Sequence, residues 1–128
     1  MKTEVKYITD LHQEHIEFKS ELNFYKDELV SFTHRLEEIA SANTKKEVME
    51  QVEKFQNHFI RQKEVLDELM SKINQHEHEL ANNAQSNNVA TDHRKVADHV
   101  EIRDEVNTYS KLFDALKVEF REFLGKYF

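Results

Sequence analysis

The chain of 128 residues has no cysteine, no proline, no tryptophan and a single glycine, Gly125. Without cysteine there can be no disulfide, no thiolate metal site and no thiol nucleophile. Without proline, and with glycine only near the end, nothing in the first 124 residues forces a helix to stop. No run of about 18 apolar residues is present to span a bilayer. The formal charge of −7 comes from acids and bases scattered along the whole chain, and no basic patch stands out. Capture of nucleic acid or an anionic membrane surface needs such a patch, so neither is an expected partner. The opening Met1-Lys2-Thr3-Glu4-Val5-Lys6 carries charges where a secretory signal needs an apolar segment. The expectation is a soluble cytoplasmic protein that begins at its native N-terminus and forms one domain, residues 1–128.

What is present is a heptad repeat. Every seventh residue from Ile8 reads Ile8, His15, Leu22, Leu29, Leu36, and every seventh from Leu11 reads Leu11, Phe18, Tyr25, Phe32, Ile39. The offset of three and four residues makes these the a and d positions of one helix seam. Two further segments repeat the pattern. In the second, a is Val52, Phe59, Leu66, Ile73, Leu80 and d is Val48, Phe55, Gln62, Leu69, His76. In the third, a is His99, Val106, Phe113, Phe120, Tyr127 and d is Ile102, Tyr109, Leu116, Phe123.

These patterns predict an all-α, up-down-up antiparallel bundle of three long helices, roughly 3–40, 45–82 and 92–126. The first connection is read as a short turn over 41–44, followed by a capping box from Thr44 to Glu47, and its brevity makes the first two helices antiparallel. The second is read as an Asn-rich loop over 82–91, with Thr91 or Asp92 capping the third helix. Ile16, Phe24, Val30, Ile60, Val100, Leu112 and Val118 are among the apolar residues that lie off the seam. They raise the prospect of a homodimer or a partner protein, with Ile16, Phe24 and Val30 as a candidate interaction surface.

The functional signal lies in the polar residues admitted to the seam, which are His15, Gln62, His76 and His99. Gln62 reads as a buried amide that hydrogen-bonds within the seam and sets register. With the first turn centred near residue 43, His15 falls level with about residue 70. Across the second connection His99 falls level with about Ile73. The three histidines therefore gather within about one or two turns at the end closed by the Asn-rich loop, with His12 at the edge of the group.

Imidazoles from three helices can present a facial set of ligands to zinc or another divalent transition metal. His12, water, or a carboxylate from Glu77, Asp10 or Glu14 could supply a fourth ligand. Two other readings compete: a polar layer that fixes register, and a pH-sensitive cluster that cannot charge together. His34, His58, His78 and His93 lie off the seam and read as solvated.

Known metal-binding bundles offer little further guidance. The Glu-x-x-His pairs of ferritin-like di-iron proteins are absent, as is His-Glu-x-x-His. His99 to Asp104 resembles the His-x-x-x-x-Asp spacing of hemerythrin. His58 with Gln62, and His76-Glu77-His78, depart from that family's other two patterns. The heptads also turn Asp104 away from the His99 face, and hemerythrin has four helices, so its oxygen chemistry is not expected here. The leading expectation from sequence is a non-catalytic interaction or structural module with a buried histidine layer. The alternative is a transition-metal-binding bundle that uses His15, His76 and His99, with His12 as a further candidate ligand.

Overall fold

The computed structural model describes the backbone of residues 2–86 and 89–127, and the side chains of residues 10–82 and 97–127. Three helices account for almost all of it: α1 (Lys2–Ala42), α2 (Lys46–Ser86) and α3 (Val89–Tyr127). At 41, 41 and 39 residues, each is about 60 Å long at 1.5 Å per residue. They form the expected up-down-up bundle, in which α1 packs most extensively on α2. Among the described residues no helix is long and apolar enough to cross a membrane.

The heptads place the core as read. Every buried residue described, from Leu11 to Phe123, occupies an a or d position. The exceptions within the seam are Phe32 and Gln62, which are half-buried, and Tyr127, which is exposed in the last turn of α3. The side chain of Ile8 lies outside the described residues, as do those of Thr91, Asp92 and His93.

Composition varies along the seam. At the end closed by the first turn, Phe55, Phe59, Phe120 and Phe123 pack with ring centroids 5.0 to 6.2 Å apart. Phe32 joins them from α1, 5.2 Å from Phe120. Aromatic pairs at these separations add about 0.5–1.5 kcal/mol each to the area they bury. At the opposite end the aromatic rings give way to imidazoles. The seam is thus aromatic at one end and carries a layer of imidazoles among aliphatic residues toward the other.

The helix ends differ from the expectation. The first connection spans 43–45, one or two residues later than predicted. Asn43 closes α1, donating both its backbone N–H and its side-chain amide to the Ile39 carbonyl at 3.0 Å. The first bond of α2 runs from Met49 N–H to the Lys45 carbonyl at 3.0 Å, so Lys45 rather than Thr44 stands at the cap, and no Thr44–Glu47 capping box accompanies it.

The segment expected as a loop over 82–91 is helical through Ser86 and again from Val89. Its alanines and Gln85 suit a helix, each asparagine costs only about 0.7 kcal/mol, and neither glycine nor proline intervenes. Both shifts move the helix registers. The residue level with His15 and His99 on α2 becomes His76, nearly two turns beyond the estimate for His15 and about one turn beyond that for His99.

Candidate metal centre

His15 on α1, His76 on α2 and His99 on α3 meet in one layer of the seam, and all are 1–3 % exposed. His76 Nδ1 stands 3.0 Å from His15 Nε2, and His99 Nδ1 stands 3.2 Å from the same atom. The three nitrogens lie within 4.8 Å of one another. The ring centroids are 5.0, 4.9 and 5.6 Å apart, so each imidazole turns one nitrogen toward a common point. No other group of three His, Asp or Glu among the described residues converges in this way.

The outer nitrogens of His15 and His99 face carboxylates. His15 Nδ1 donates to Glu77 Oε2, and the exposed His12 donates from Nδ1 to the other oxygen of the same carboxylate. His99 Nε2 donates to Glu14 Oε1 at 3.3 Å. Arg103 grips Glu14 on both oxygens, from Nε at 3.0 Å and from Nη2 at 2.5 Å. Each of these four flanking residues sits beside the seam, at e (His12, Glu77, Arg103) or g (Glu14), where side chains from adjacent helices reach across one another.

Electrostatics follows from these partners. Burial raises the Glu77 carboxyl, but its bonds to His15 and His12 outweigh that and hold it below the usual carboxylate value. Glu14 is likewise raised by burial and brought below the usual value, chiefly by Arg103 and further by His99. Burial lowers the His99 imidazole, and the neighbouring His15 lowers it further, against the opposing pull of Glu14. His99 is therefore biased toward its neutral form, the form that binds metal. Phe18 packs on the core side of His99 at 5.9 Å and bounds the layer there.

Of the residues picked from sequence, His15, His76 and His99 come together. His12 does not join them, because it is exposed and bound to Glu77. Glu77 and Glu14 are present, but each binds the far side of a histidine ring. Asp10 is exposed, as is Asp104, and so are the off-seam His34, His58 and His78. Arg103 was not among the sequence candidates. Its signal is its place one turn after His99, across from a glutamate that precedes His15.

Gln62 does not form the seam hydrogen bond expected of it. Its Oε1 is buried without a partner, while its backbone carbonyl accepts from the Tyr109 hydroxyl at 3.1 Å. The Tyr25 hydroxyl donates to Glu21 at 2.8 Å and lies 2.6 Å from the Ser110 hydroxyl. Of the candidate interaction surface, Ile16, Phe24 and Val30 are each about half exposed. Val30 shares a groove between α1 and α2 with Leu29, Phe59 and Ile60.

No protein-family model, curated protein or solved structure matches the chain.

Proposed function

We propose that this chain binds one divalent transition metal ion through His15, His76 and His99. The observation that carries this reading is the convergence of three imidazole nitrogens, with two separations of 3.0 and 3.2 Å. Three nitrogens bound to one zinc ion at tetrahedral angles stand about 3.3 Å apart, given Zn–N bonds of about 2.0–2.1 Å. An all-imidazole set suits zinc, copper(II), nickel, cobalt or iron(II), and suits the oxygen-seeking magnesium and calcium poorly. Because each ligand comes from a different helix, the ion would tie the three helices together at the end where aromatic packing gives out. Binding is then coupled to stability, since the unfolded chain cannot assemble the site.

The test is elemental analysis of untagged protein, with melting recorded before and after a chelator. About one metal ion per chain and a melting point that falls on chelation support the reading. Protein that holds no metal and takes up none of zinc, nickel, cobalt or iron overturns it.

A second reading, a non-catalytic interaction or structural module, is favoured by the exposure of Ile16, Phe24 and Val30, at 48, 57 and 54 %. Replacing all three with serine would then change the mass in solution measured by light scattering, if the partner is a second copy. An unchanged monomer would count against self-association through that face.

A further inference from the structure

The carboxylates behind the histidines do more than occupy space. A carboxylate at neutral pH has no proton to give, so the ring nitrogen facing it must carry one. Glu77 faces His15 Nδ1 and Glu14 faces His99 Nε2. A neutral imidazole has one N–H, so His15 Nε2 and His99 Nδ1 are left as bare electron pairs. Those two atoms are 3.2 Å apart. The single proton that His76 Nδ1 could offer cannot serve both. In a layer of neutral rings these two acceptors would face each other unsatisfied, whereas a cation between them binds both.

We infer that Glu77 and Glu14 are positioning residues, which fix the tautomers of His15 and His99 so that the first binds the ion through Nε2 and the second through Nδ1. This rests on the metal reading above and adds which atoms ligate and what selects them. The two supports are not equivalent. Glu14 is gripped on both oxygens by Arg103, whose planar, permanently charged fork gives a rigid, bidentate hold. Glu77 is shared between His15 and the exposed His12, whose ring is held by one bond. Substitution at His12 therefore disturbs the site less than substitution at Glu77 itself.

The experiment is a zinc titration against a chromophoric chelator on wild type, Glu77→Ala, Glu77→Gln and Glu14→Ala. It is paired with nitrogen-15 NMR of the histidine rings in metal-free protein, which reports the tautomer directly. Loss of a carboxylate behind a metal-binding histidine weakens affinity by about 10–100-fold, and that range is expected for both Ala variants. Glu77→Gln recovers part of the loss, because its amide oxygen still accepts from His15. In wild type, His15 is the Nδ1–H tautomer and His99 the Nε2–H tautomer, and Glu77→Ala releases His15 into a mixture. Ala variants that bind zinc within about twofold of wild type, or a His15 that is Nε2–H in wild type, overturn the inference. A wild-type chain that takes up no zinc overturns the metal reading instead, and the His15 tautomer in the same sample still decides the role of Glu77.

Discussion

His15 Nε2 and His99 Nδ1 lie 3.2 Å apart across the interface between α1 and α3, the two helices that run in the same direction. Elsewhere that interface is bridged by the Tyr25 and Ser110 hydroxyls and by Lys117 Nζ to Glu28 Oε1 at 2.7 Å. Aromatic rings fill the space between, with Tyr25 and Phe113 centred 4.5 Å apart. The imidazole layer adds a direct contact between ring nitrogens to that interface, and an ion there would draw together the least intimately packed pair of helices.

Replacing His99 with leucine removes one ligand and leaves Glu14 with Arg103 as its partner. Zinc uptake should fall below detection in the chelator-competition titration. The metal-free fold should persist, because leucine at an a position packs where a buried polar group stood, and such exchanges are often neutral or stabilising by about 1–4 kcal/mol. Circular dichroism melting reads the outcome. A variant that unfolds would show that the imidazole layer, rather than the ion, holds this end together.

The pH dependence of the metal-free protein has a definite sign. The His99 value is lowered from 6.5 in the folded chain, so the unfolded chain takes up its proton first as pH falls. Stability from this group is complete above pH 6.5 and declines below it. Glu14 and Glu77, lowered from 4.5, contribute above pH 4.5 and lose that contribution below it. All three act in the same direction. The melting point of chelator-treated protein should fall as the pH is lowered from 7 to 4, beginning between pH 7 and 6. A flat profile across that range would contradict the burial assigned to His99.

Much of this architecture is legible in the chain because burial and heptad position coincide from Leu11 to Phe123. The histidine layer was legible for the same reason, since three of the four polar seam residues are imidazoles. The helix ends were less so. An Asn-rich stretch looks like a loop by composition, yet a shortage of favourable residues does not stop a helix that nothing blocks. Glu14, Glu77 and Arg103 show the other limit. A repeat identifies which residues enter the seam, but which flanking side chains meet across helices depends on register, and the observed register differs from the estimate by about one to two turns.

Gln62 offers a test away from the histidines. Its amide oxygen is buried without a hydrogen-bond partner, and an unmet buried acceptor costs about 1–3 kcal/mol. Gln62→Leu should therefore stabilise the chain by about 1 kcal/mol in urea unfolding, with metal uptake unchanged. A loss of stability would show that the amide is satisfied by water and sets register as the sequence suggested.

The central claim, that three imidazoles from three helices hold one ion, is tested most directly by X-ray absorption spectroscopy of the zinc-loaded protein. The account predicts three imidazole nitrogens at about 2.0–2.1 Å from each zinc, with that signature lost in His99→Leu. A shell of oxygen ligands, or of fewer than three imidazoles, would contradict it.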